Sequence, residues 1–124
     1  MMEALAIFIG GGLGSVSRYG LGKWIGVSAT GFPFGTLAAN LLACLILGFV
    51  GGIVMNKANF NPQLKLGIAT GFCGGFSTFS TFSFETMGLF DQGKVGLGLL
   101  YIGLSIVLCL LGIWLGQMLS RAVV

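Results

Sequence analysis

Histidine is absent from the chain, and carboxylates number three. The first absence removes the commonest metal ligand and the commonest proton shuttle. Charged residues make up only 7% of the 124 positions, too few to cover the surface of a soluble domain. Cysteine is scarce and odd in number: Cys44, Cys73 and Cys109, each inside an apolar run. That placement reads as reduced packing residues, with no disulfide frame and no zinc spacing. The net charge of +3 is dispersed, so no basic patch offers itself to nucleic acid. No Lys or Arg precedes the first apolar run and no small-residue cleavage site follows it, so a signal peptide is not expected. An enzyme is the least expected class, because no embedded carboxylate pair and no nucleophile–base arrangement is evident.

What the chain has is hydrophobicity and glycine. Apolar residues make up 56% of the sequence and glycines number 23; the mean hydropathy is +1.02. An integral membrane protein is the class this composition allows. A bilayer core of about 30 Å needs roughly 20 helical residues. Four segments meet that length: about 3–25, 35–55, 62–90 and 95–119. Breakers lie between them: Gly31 and Pro33, then Asn61-Pro62 as a cap and first-turn proline, then Asp91-Gln92-Gly93. The expected fold is an all-α single membrane domain of four antiparallel neighbouring helices. Small residues one turn apart mark close helix contacts: Gly10 and Gly14, Gly22 and Gly26, Gly48 and Gly52, Gly67 with Gly71 and Gly75, Gly112 and Gly116.

The basic residues barely choose a side. One face carries Lys57, Lys65 and Arg121, and the other Lys23 and Lys94, three against two, with Arg18 inside the first span. Orientation is normally set by a clear excess of Lys and Arg on the cytoplasmic side. Near balance predicts insertion both ways round, and two copies paired about an axis in the membrane plane.

The third segment is the odd one. Its stretch TGFCGGFSTFSTFSFET, Thr70 to Thr86, sets glycines and alcohols where hydropathy wants a helix. Gly74-Gly75 is a poor helix centre, at about 1 kcal/mol per Gly relative to Ala. Ser77-Thr78 and Ser80-Thr81 follow, and their hydroxyls compete with helical bonds. A break near residues 74–78 is predicted. In a bilayer such backbone survives only inside protein or along a cavity, which places the break at the core of a dimer. Freed carbonyls there suit a cation, and a half-helix N-terminus suits an anion. Phe76, Phe79 and Phe82 recur every three residues, near one helical face. Their electropositive ring edges hold a small anion weakly, which suits conduction, or the rings simply pack.

Other polar groups stand inside the spans. Arg18 is a buried cation or one that snorkels to the interface. Asn40, with Thr36 one turn earlier, donates to an anion or bonds a neighbouring helix. Ser105, with Tyr101 one turn before it, lines a site or bonds its own helix backbone. Glu85 is the only carboxylate well inside a span, and either titrates or accepts hydrogen bonds near the interface.

At these residues the sequence resembles the Fluc/CrcB family of fluoride channels. The likeness rests on GFCGGFSTFSTFSFE (71–85), GSVSRY (14–19), GTLAANLLACLILG (35–48) and GLSIVL in the last span, and covers essentially the whole chain. It implies a dual-topology homodimer in the inner (cytoplasmic) membrane through which fluoride leaves passively, with two antiparallel pores and a central structural sodium ion. By position, Phe79 and Phe82 resemble the pore aromatics, Asn40 the pore asparagine and Arg18 the vestibule arginine. Ser80, Thr81 and Ser105 match a polar track, and Glu85 the acidic residue beyond the rings. Gly74 and Ser77 match the positions whose carbonyls bind sodium. Membrane lipid and a second copy are the implied partners. Two other readings compete: a small proton-coupled four-helix efflux transporter, also of dual topology, with Glu85 titrating, and a non-transporting packing protein.

Overall fold

The computed structural model describes all 124 residues, and every regular element is helical. Helix α1 (Met2–Ile25) leads to α2 (Phe34–Asn56). A composite segment follows: α3 (Pro62–Lys65), a π-helical stretch (Leu66–Phe72) and α4 (Cys73–Phe76). Two extended residues separate it from α5 (Phe79–Asp91), and α6 (Val95–Val123) closes the chain. Helices α1, α2 and α6 are long and apolar enough to cross a membrane.

The punctuation is local chemistry. Gly26 ends α1 at φ 72°, a conformation that costs a residue without Cβ nothing. The Asn61 side chain accepts from the Leu64 amide at 3.0 Å, and Pro62 takes the first turn, where its missing N–H is not needed. Across the first and third loops, Lys94 Nζ donates to the Thr30 carbonyl at 2.9 Å.

Glycine sets the packing. A methyl group on Gly48 or Gly116 would strike the backbone of the facing helix, at Ile113 and Leu45 respectively, so α2 and α6 lie backbone to backbone. Gly10 and Gly14 meet the π-helical stretch and α4 in the same way, through the Gly67 and Phe72 carbonyls, and Gly75 meets the Gly11 carbonyl. Four of the five expected glycine sets are therefore close contacts. The fifth divides: Gly22 lies against Gly35, while Gly26 terminates its helix.

The core is small and split. Phe32, Leu37, Leu89 and Tyr101 form one cluster; Ala39, Ala43 and Phe76 form the other. Elsewhere large apolar side chains such as Phe8, Trp24, Leu99 and Trp114 face outward, as lipid permits and water does not.

The predicted break is present. Ser77 (φ −81°, ψ 155°) and Thr78 (φ −153°, ψ 118°) are extended between two helices. It has one consequence that an unbroken phenylalanine repeat does not anticipate. Phe76 ends α4 and is buried against Ala39 and Ala43, whereas Phe79 and Phe82 belong to α5. The three rings do not share a helical face.

Candidate functional site

The site begins with the backbone groups the break releases. In a continuous helix the Thr78 amide would bond the Gly74 carbonyl; it donates to Asn40 Oδ1 instead, at 2.7 Å. Asn40 Nδ2 returns a bond to the Thr78 carbonyl at 3.3 Å. One side chain on α2 thus holds both polar groups of the extended residue. Thr78 also caps α5: its Oγ1 accepts from the Thr81 amide at 3.1 Å. That diverts the donor Ser77's carbonyl would have had. Arg18 Nε donates to the Gly75 carbonyl at 3.0 Å, a cation against the C-terminal end of the composite helix. The Gly74 and Ser77 carbonyls thus lose their helical donors to side chains, as the last carbonyls of a helix do generally, and the Gly75 carbonyl takes Arg18 in place of its own. Hard cations seek such oxygens. Ser77's hydroxyl is itself committed to the Cys73 carbonyl at 2.7 Å.

Beside the break lies a cleft of about 290 Å³, lined by Asn40, Ser77, Thr78, Phe79, Phe82 and Ser105, with Cys44, Ile106 and Cys109. Its aromatic wall is a stepped set. The rings of Phe79 and Phe82 are 5.6 Å apart at 40°, and Phe82 meets Tyr101 at 5.0 Å and 57°. Phe82 is anchored on the core, while Phe79 stands 80% exposed in the single chain.

Ser105 is the anomaly. It is only 7% exposed, yet its Oγ has no hydrogen-bond partner. Ser83 and Thr86 bond their own i−4 carbonyls, Phe79 at 2.9 Å and Phe82 at 2.7 Å, and Ser105 does not. A buried hydroxyl without a partner costs about 1–3 kcal/mol, so this one is available to whatever enters the cleft.

The remaining sequence-predicted residues fall elsewhere. Arg18 and Thr81 line a second cavity of about 330 Å³ with Tyr19, Gly22, Lys23, Gly35 and Thr36. Its two cations make it an anion-attracting basin. Ser80 is exposed at the start of α5, its Oγ 3.2 Å from Thr78 Oγ1. Glu85 opens on a third cavity, away from the cleft, and accepts from the Tyr101 hydroxyl at 3.3 Å. Gly74 is exposed and lines none of these three cavities. Cys44 and Cys109 are free thiols, as the sequence suggests, and both line the cleft wall. A sequence signal existed: each lies one helical turn beyond a polar residue of the cleft, Asn40 and Ser105.

The family described as "CrcB-like protein, Camphor Resistance (CrcB)" matches residues 5–117. The chain belongs to the CrcB family. It is 39% identical to a Rhizobium etli protein named fluoride-specific ion channel FluC, over the full length of both. A protein of the same name from Nitratidesulfovibrio vulgaris is 41% identical, across 99% of this chain and 100% of the relative. One from Ruminiclostridium cellulolyticum is 40% identical, across 99% and 95%. Membership of this family together with three bilayer-length apolar helices makes the chain a multi-pass membrane protein. The relatives are channels by name, not enzymes.

Proposed function

We propose that this chain conducts fluoride passively across the cytoplasmic membrane as an antiparallel homodimer, with the cleft as its part of each ion path. The observation that carries the reading is the unpartnered, buried Ser105 hydroxyl in the cleft that Phe79 and Phe82 also line. A hydroxyl donor and two electropositive ring rims replace part of a small anion's water. The amide of Asn40, already bonded on one N–H, keeps its second N–H for the same purpose. Contacts of this kind are individually weak, which lets an ion leave as well as enter. Arg18 and Lys23 concentrate anions at the basin, and Thr81 leads from there along the start of α5. Ser80 extends the hydroxyl row on the exposed side.

The homodimer rests on burial. Phe79, Ser80 and Gly74 are exposed in one chain, next to backbone that no helix satisfies. Lipid offers that backbone nothing, so a second copy covers it. Two breaks meeting would bring four carbonyls together, from Gly74 and Ser77 of each chain. All-oxygen coordination of that kind fits a sodium ion, which neutralises converging carbonyl dipoles and ties the two copies. Near-equal basic charge on the two faces fits opposite insertion of the partners.

The proton-coupled transporter is the weaker reading. Glu85 is outside the cleft and engaged by Tyr101, so the carboxylate such an exchanger needs is missing from the ion's surroundings. The test is halide release from vesicles reconstituted with purified protein, at matched pH on both sides. Rapid fluoride loss with chloride retained is the expected result. Flux that appears only under an imposed pH gradient, or chloride loss at a comparable rate, rejects the proposal.

A further inference from the structure

We propose that Cys44 and Cys109 form a two-thiol binding site for a soft monovalent cation of the Cu(I) class in the wall of the cleft. Cys44 lies on α2 one turn beyond Asn40, and Cys109 on α6 one turn beyond Ser105. Both thiols are free, half-buried and open on the same cavity of about 290 Å³. The two thiols stand on facing helices that share this wall of the cleft. The helices are held close here: a methyl group on Gly112, one turn past Cys109, would come within 3.4 Å of Cys44 Cβ. No third His, Cys, Asp or Glu joins the pair. Two thiols with no carboxylate or imidazole beside them are poor ligands for Mg and Ca and too few for the four-ligand geometry of zinc. They suit a soft ion content with two ligands. Ser105, whose buried Oγ has no hydrogen-bond partner, lines the same space.

Binding converts two S–H groups to two metal–sulfur bonds and releases up to two protons, with no change of oxidation state. The bound ion sits one turn from Asn40 and Ser105 and narrows the cleft. Only this second effect, on flux, rests on the cleft being the ion's route; binding itself does not.

The experiment titrates purified protein with Cu(I) under nitrogen against a chromogenic Cu(I) chelator. One Cu(I) per chain is expected for the wild type and for Cys73→Ala, whose thiol lies outside the cleft. Cys44→Ser and Cys109→Ser should each weaken binding by roughly tenfold or more, at least what disturbing a ligand's support costs. A second measurement needs no variant: Cu(I) should protect Cys44 and Cys109 of the wild type from alkylation, read by mass spectrometry. Unchanged alkylation of both, or wild-type affinity in the doubly substituted chain, overturns the site. In vesicles, Cu(I) should slow fluoride release and the chelator should restore it. Stoichiometric binding with undiminished release upholds the thiol site and removes the cleft from the ion's route.

Discussion

Ser105 and the two exposed-to-half-buried rings make different demands on the protein, and substitution separates them. The Ser105 hydroxyl is buried without a partner, so it adds nothing to folding. Ser105→Ala should leave thermal stability unchanged or raise it, by up to about 1 kcal/mol, because an unsatisfied polar group has been removed. Fluoride release from vesicles should fall in the same variant. A Ser105→Ala protein that unfolds earlier and conducts normally would assign the hydroxyl to structure. The rings behave otherwise. Phe82 packs on Tyr101 while Phe79 is largely bare. Phe79→Ile should therefore cost little stability and Phe82→Ile more, yet both should slow fluoride release, by about tenfold for each 1.4 kcal/mol of ring-edge stabilisation lost. Wild-type release from both would take the rings out of the mechanism.

Among the helices, the break in the third segment depends on two side-chain devices that can be removed singly. Thr78 is the N-cap of α5, and Asn40 clamps Thr78 from α2. Thr78→Val deletes the cap and should lower stability by about 1 kcal/mol, while Thr78→Ser restores it. Asn40→Ala strands both backbone groups of Thr78 and should cost about 1–3 kcal/mol in addition to slowing release. Thermal unfolding of the three variants beside the wild type checks the order. The position of this break was legible beforehand, because Gly74-Gly75 and two Ser-Thr doublets each oppose a helix by local rules. Its partners were not. That Asn40 reaches residue 78 and Arg18 reaches Gly75 depends on how α1 and α2 pack, across separations that no periodicity records. The π-helical stretch at Leu66–Phe72 was also illegible: its sequence reads as an ordinary apolar helix. Phe76 shows the same limit, since a spacing of three implies one face only while the helix continues. Glycine spacing was the better guide. It marked close backbone approach without naming the facing helix, and α2 against α6 and α1 against α4 both follow it.

At the scale of the assembly, Gly74 gives the cleanest way to ask whether a second copy covers the break. A methyl group at Gly74 would meet nothing within 4 Å, in contrast to Gly75, where it would strike the Gly11 carbonyl. Gly74 is also not at positive φ, so a larger residue is compatible with its backbone. Within one chain Gly74→Leu should therefore be tolerated: helix content and detergent solubility should match the wild type. If two breaks meet at Gly74 and Ser77, the added side chain enters the partner's space. The expected result is a helical protein that sediments as a monomer and releases no fluoride. If the proposed sodium ion ties the two copies, its removal should act on the wild type in the same direction and more mildly, shifting it towards monomer. A Gly74→Leu protein that stays dimeric and conducts would place the contact between copies elsewhere. The proposed opposite insertion follows a separate line of physics, since its support is the near-even spread of basic residues over both faces. A single reactive cysteine appended near a terminus, in a background lacking the native three, should be labelled by an impermeant reagent from both sides of the membrane. Adding two lysines to one face should make the labelling one-sided and, because antiparallel pairs then need a complementary chain, abolish fluoride release until a variant biased the other way is co-expressed. Release from the one-sided variant alone would show that two parallel copies suffice.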